Sequence, residues 1–206
     1  MICLKKGKQA RKESVPLSRS FGSPRSQAIG SPPADERSVT SRERIVLFSH
    51  GQESGPWGTK ITVLAEDARD AGLAVDSIDY RGMPDPAERA KKLIARMRDC
   101  CGEILLAGSS MGGYVAVAAA QAQPTAGLFL MAPALAVPDW PPLDGTVDAP
   151  AHLVHGWEDD IVPLEWSVDF ARANSAHLHL LRAGHGLTEA MDEIRVLFRL
   201  FLSSCG

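Results

Sequence analysis

The stretch EILLAGSSMGGYVAVAAA, Glu103–Ala120, joins an apolar run to a small-residue helical pattern through two serines and three glycines. Within it, Gly108-Ser109-Ser110-Met111-Gly112 matches G-x-S-x-G between an expected strand and an expected helix, the context in which a serine nucleophile is presented. The spacing has a steric reason. The central residue occupies a sharp, strained turn, and the residues two before and two after it come too close for side chains. That criterion chooses between the serines: Ser110 is flanked by Gly108 and Gly112, Ser109 by Ala107 and Met111. Gly113, Ala116, Ala119 and Ala120 keep the following helix slim enough to pack closely on a sheet.

Outward from this turn the chain alternates regularly. Apolar runs at 44–49, 74–80, 103–109, 127–132, 151–156 and 177–183 read as strands, several nearly continuous, as strands covered on both faces are. Helical patterns fall at Thr59–Ala71, Pro86–Arg98, Met111–Gln121, Leu164–Asn174 and Leu187–Ser203. This alternation predicts an α/β fold, a parallel sheet with helices on both faces. Ligand chemistry in such a sheet belongs beyond the carboxyl ends of its strands. Two further stretches supply it there. HGWEDDIVP places Asp159 and Asp160 just past a strand, and AGHG places His185 in a glycine-flanked turn after the last one.

The order Ser110, Asp159, His185 and the motifs GSSMGG, HGWEDDIVP and AGHG resemble those of the α/β-hydrolase superfamily over roughly residues 44–203. The resemblance implies a serine hydrolase acting on carboxylic esters or thioesters of small to medium acyl groups, by way of an acyl-enzyme. Ser110 would be the nucleophile, His185 the general base and Asp159 the acid three residues after Gly156, with no metal and no organic cofactor. The Met111 N–H, at a helix start, would receive the oxyanion. A second N–H would come from the residue after the His-Gly of SHGQ, which is Gln52. The glycine-rich loop FSHGQESGPWGTK invites a phosphate-cradle reading as well. Anchored on Gly58, that pattern puts Glu53 where a glycine belongs and reverses Thr59 and Lys60, so the hydrolase reading fits better.

The chain also departs from the family. Its usual first two antiparallel strands have no counterpart, which implies a reduced sheet of about six parallel strands. APALAVPDWPPLDGTVDAP, after the fourth strand, is too short and proline-rich for a helical lid, as in the small lidless esterases and thioesterases of bacteria. Trp140 in that segment either lines the acyl pocket or covers the sheet edge. Dehalogenase and epoxide-hydrolase chemistry would need an aspartate at the elbow, which Ser110 excludes. A peptidase, or a binding protein that kept the fold, is the alternative.

Composition narrows the remaining classes. Apolar residues make up 45% of the 206 and charged ones 23%, ordinary for a globular protein. Residues 1–40 carry eight Lys/Arg against three Asp/Glu, leaving −8 on residues 41–206. That balance argues against nucleic acid as a partner of the folded body. The Ser/Pro-rich stretch 1–40 reads as a disordered tail ahead of a domain at 41–206. A transit peptide or a misplaced start would look similar, though Glu13, Asp35, Glu36 and the prolines count against the former. Cys3, Cys100, Cys101 and Cys205 show no disulfide or C-x-x-C spacing, and no apolar run is long enough to span a membrane. The expected address is the cytoplasm. His152, His155, His177 and His179 invite a zinc reading, but no cysteine or carboxylate completes a ligand spacing. His50 and His155, each before a glycine, read as structural.

Overall fold

The computed structural model describes residues 43–205; the reading of residues 1–40 as a tail lies outside them. Six strands form one sheet: β1 Arg44–Ser49, β2 Ala74–Ile78, β3 Glu103–Ser109, β4 Gly127–Met131, β5 Ala151–Gly156 and β6 His177–Leu181. Their order is β2-β1-β3-β4-β5-β6, with every neighbouring pair parallel. The order reverses at β1 and β3, whose carboxyl ends therefore open onto the crevice where an α/β sheet binds its ligand.

Side chains alternate along each strand between two cores. Val46, Phe48, Leu105, Ala107, Phe129 and Met131 face α1 (Thr59–Asp70) and α5 (Met191–Ser204). Leu47, Leu106, Leu128, Leu130 and Leu153 face α2 (Pro86–Arg98), α3 (Met111–Ala122) and α4 (Leu164–Asn174). Both faces are thus buried, the reason the strands read as continuous apolar runs. Helices α1 and α5 are clamped by the buried Asp67, whose carboxylate accepts from Arg195 at 2.8 and 2.9 Å and from Arg199 at 2.5 and 3.0 Å. Burial by itself would raise the Asp67 pKa, but the two guanidinium groups outweigh it and hold the carboxyl below its usual range.

Element ends differ from the sequence reading for local reasons. The last helix begins at Met191 rather than Leu187, because Leu187 adopts a left-handed φ of 57° and leads into a single 3₁₀ turn, Thr188–Ala190. Strand β4 stops at Met131, since Ala132 turns to φ 42°. β2 stops at Ile78, and beyond it Asp79 Oδ1 accepts from the Arg81 N–H at 3.0 Å and bends the chain away. Residues 132–150, joining β4 to β5, contain no helix. They lie against α3 and α4 through Tyr114 Oη donating to the Pro141 carbonyl at 2.7 Å and the Val147 N–H donating to Asn174 Oδ1 at 2.8 Å. Among the described residues no cap domain stands over the sheet. No helix among the described residues is long and apolar enough to cross a membrane.

The histidines of β5 and the edge strand β6 form a stack. His152 lies 4.6 Å from His177 and 5.7 Å from His179 between ring centroids, and packs against Phe201 of α5. His152 Nδ1 and His179 Nε2 are buried without hydrogen-bond partners among the described residues. Burial, then the neighbouring His177 and His179, pull the His152 pKa from 6.5 to about 4. Between those values the unfolded chain binds a proton that the folded chain does not, so stability rises with pH across the window. The contribution is fully present above pH 6.5 and is lost as pH falls toward 4. Thermal melts of His152→Phe should show a flatter decline of Tm from pH 6.5 to 4 than the parent chain; an unaltered profile would place the acid sensitivity elsewhere.

Candidate active site

The site forms where β1, β3, β5 and β6 end. At the β3–α3 turn, a Cβ on Gly108 would overlap the Gly112 carbonyl, and one on Gly112 would overlap the Ser49 carbonyl of β1. Only glycine at both positions allows the helix to start so close to the sheet. Ser110 is thereby held at φ 55°, ψ −121°, a conformation costly for a non-glycine residue. Backbone hydrogen bonds on both sides of it over-determine it. The Ser110 N–H donates to the Met131 carbonyl at 3.0 Å, and its own carbonyl accepts from Gly113 at 2.8 Å and Ala134 at 3.1 Å.

His185 Nε2 stands 3.1 Å from Ser110 Oγ, and His185 Nδ1 stands 2.9 Å from Asp159 Oδ2. Residues 75 and 26 positions apart in the chain meet here. The Asp159 side chain is 1% exposed. Its Oδ1 accepts from the N–H groups of Ile161 at 3.0 Å and Val162 at 2.9 Å. Burial would raise its pKa, but the hydrogen bonds from Val162, His185 and Ile161 prevail and hold the carboxyl below its usual range. A carboxylate fixed in this way keeps the facing imidazole nitrogen protonated and leaves the other free to accept a proton from a hydroxyl.

The free N–H groups before α4 go to Asp159 as well, while Asp160 is exposed and α4 has no side-chain cap. After Gly156 the chain turns, the Asp159 N–H donating to the Gly156 carbonyl at 3.3 Å, and the Asp159 side chain is buried under the loop. Glu158 is exposed, 3.6 Å from Arg182.

Two supports stand beside Ser110, His185 and Asp159; His155 reads from sequence as structural, and Arg89 carries no signal of its own. His155 is fully buried on β5, with Nδ1 2.8 Å from Ser167 Oγ, and Nε2 3.1 Å from the Val162 carbonyl and 3.2 Å from Asp159 Oδ2. Burial lowers its pKa, so the ring is neutral. A neutral ring donating from Nε2 to Val162 and Asp159 and accepting from Ser167 satisfies every contact. The second support is Arg89 of α2. It donates to the Met83 carbonyl at 2.6 Å and, at 3.3 Å, to the carbonyls of His50 and Gly51. His50 Nδ1 donates to the same Gly51 carbonyl at 2.7 Å, and its Nε2 accepts from the Tyr80 N–H at 2.9 Å. A trans peptide directs its C=O and N–H oppositely. Fixing the Gly51 carbonyl therefore fixes the Gln52 N–H on the other side. Neither the Gln52 nor the Met111 N–H is engaged in a hydrogen bond among the described residues.

A cavity of about 500 Å³ adjoins Ser110 and is lined by the 51–55 loop, the first turn of α1, Ile161, His185 and Thr188. Trp140 does not line it. Its ring packs edge-on against Tyr114 of α3, centroids 5.0 Å apart.

The alpha/beta hydrolase family profile matches residues 46–199. The chain belongs to the alpha/beta hydrolase family. A structure from Xanthomonas campestris pv. campestris, assigned to the same superfamily, superposes with a TM-score of 0.74 at 32% identity, covering 79% of this chain and 99% of that one. A dienelactone hydrolase from Anabaena variabilis gives 0.68 at 24% identity, over 80% of this chain and 88% of that one. A serine hydrolase homologue from Coxiella burnetii gives 0.67 at 22%, over 79% and 86%. The last two likenesses speak for the fold alone. No curated protein matches the chain. Its six parallel strands, with no cap among the described residues, are those of a small, lidless member of the fold.

His155→Leu removes the donor to Val162 and Asp159 and strands the Ser167 hydroxyl. It should cost about 1–3 kcal/mol, a fall in Tm of roughly 3–10 °C by thermal melt.

Proposed function

We propose that this hydrolase cleaves carboxylic ester or thioester bonds of small to medium acyl substrates through Ser110, His185 and Asp159. The carrying observation is the continuous pair of contacts, 3.1 Å from Ser110 to His185 and 2.9 Å from His185 to Asp159, at the end of a cavity. Ser110 Oγ attacks the carbonyl carbon while His185 Nε2 takes its proton. Asp159 fixes the ring tautomer and stabilises the imidazolium. The N–H groups of Gln52 and Met111, both unspent and one at a helix start, receive the developing oxyanion. The proton on His185 then passes to the leaving oxygen or sulfur. Water, activated by the same imidazole, resolves the acyl-enzyme. Nothing in this sequence of steps calls for a metal or organic cofactor. The reading takes residues 41–206 as the catalytic domain, 1–40 as an accessory tail, and the cytoplasm as its place.

The small-acyl preference rests on the open roof. Residues 132–150 lie against α3 and α4, and among the described residues no lid covers Ser110. A non-catalytic relative is one competing class, and a fluorophosphonate probe separates it: covalent labelling at Ser110 is expected, and its absence would refute the nucleophile. A peptidase would label as well and is told apart by cleavage of amide substrates.

Ser110→Ala should lower kcat on aryl esters by roughly 10⁶ with the fold retained, whereas Ser109→Ala stays active. Loss of activity in the Ser109 variant instead would shift the elbow by one residue. Asp159→Asn should lower kcat by about 10⁴, and Asp160→Asn by no more than about threefold, since Asp160 is exposed and supports neither His185 nor the loop. Steady-state kinetics and melting curves on both variants decide the acid.

A further inference from the structure

Lys60, at the end of the glycine-rich loop FSHGQESGPWGTK, is used by neither the fold nor the proposed chemistry. It is the second residue of α1 and lines the cavity with Ser110 and His185. No hydrogen bond or ion pair reaches its ammonium among the described residues. The exposed lysines of α2 are partnered: Lys91 donates to Glu88 at 2.7 Å and Lys92 to the Asp79 carbonyl at 2.8 Å. The inward one is not. Burial lowers the Lys60 pKa and outweighs the attraction of Asp159 and Glu189, the charged groups that act on it. The first turn of α1 adds to the same positive region, since its N-cap Gly58 offers no side chain and the turn holds no acidic residue.

We propose that Lys60 receives a carboxylate on the substrate, so that the preferred ester carries one negative charge on its acyl or its alcohol part. A desolvated ammonium lacking a partner is stabilised when an anion enters, and this one stands in the cavity where the scissile bond must lie. The charge count selects a monoanion. A single lysine faces the cavity-lining Glu53 and the nearby Asp159 and Glu189, which would repel a phosphate dianion or a coenzyme A tail. Hydrolysis follows the steps above: the ester C–O bond breaks, the alcohol leaves with the His185 proton, and water supplies the hydroxyl of the released acid. With the charge on the acyl side the product is a dicarboxylate. With the charge on the alcohol side it is a hydroxy acid. This inference rests on the hydrolase reading of Ser110.

The test compares charged and neutral partners on each side. On the acyl side, monomethyl glutarate and monomethyl adipate are set against their dimethyl esters, followed by pH-stat. On the alcohol side, 4-carboxyphenyl butyrate is set against phenyl butyrate. The parent enzyme should favour the charged member of one pair. Lys60→Met should lower that preference, as a ratio of kcat/KM values, on the order of 10- to 100-fold, and Lys60→Arg should restore part of it. Calorimetry of monomethyl adipate and 4-carboxyphenyl butyrate on Ser110→Ala should show binding of one of them, weakened to the same degree by adding Lys60→Met. Neutral esters turned over with no charged preference, or a ratio unaltered in Lys60→Met, would overturn the Lys60 assignment and leave the hydrolase reading intact. Lys60-dependent binding with no ester turned over would uphold the anion site and overturn the esterase reading.

Discussion

The contact between strand β3 and helix α3 at Gly108 and Gly112 governs the rest of the site. With no Cβ at either position, the helix begins against the Ser49 carbonyl of β1. That proximity does three things together. It forces Ser110 into its left-handed turn, lifts its hydroxyl above the strand ends, and sets the Met111 N–H beside it. The cost of the Ser110 conformation is met by the backbone hydrogen bonds around it and by the apolar packing of α3, where Val115, Ala116, Val117 and Ala119 are fully buried. A side chain at either glycine would move the helix, and with it the serine, away from His185.

Around that turn the site is organised by satisfying buried polar groups. Asp159 accepts from Ile161, Val162 and His185, with His155 beside it. His155 in turn ties strand β5 to the following loop and to α4 through Ser167. On the other side, Arg89 and His50 hold the Gly51 carbonyl and thereby orient the Gln52 peptide. In each case a charged or polar side chain from one element fixes a loop from another. Buried groups that lacked such partners would cost more than the loops could repay. Against this background Lys60 is conspicuous, a half-buried cation with no hydrogen-bond or ion-pair partner among the described residues.

The edge of the sheet departs from that rule. The His152, His177 and His179 rings stack on one another, and His152 Nδ1 and His179 Nε2 have no hydrogen-bond partner among the described residues. Burial holds His152 and His179 below the ordinary imidazole range, so acid works against the β5–β6 seam. Asp159 and Asp67 act in the same sense at lower pH, each carboxyl held below its usual range by its donors.

The strand and helix types, their alternation and the parallel sheet were all legible from residues 44–204, because both cores demand continuous apolar strands and the glycine spacing at 108 and 112 is a steric requirement. So was the choice of Ser110 over Ser109 as the residue at the turn, and the pairing of HGWEDD and AGHG with strand ends. The resemblance already paired Asp159 with His185; tertiary structure alone decided which N–H groups that carboxylate also accepts, those of Ile161 and Val162, and left Asp160 exposed. It alone set Trp140 against Tyr114, brought Arg89 to the Gly51 loop far from it in sequence, and gave His155 its partners in the loop and helix that follow β5. Hydrogen-bond partners separated by dozens of residues leave no periodicity to read. Their identity depends on how the loops turn after the strands end, which is set by packing in three dimensions rather than by local spacing.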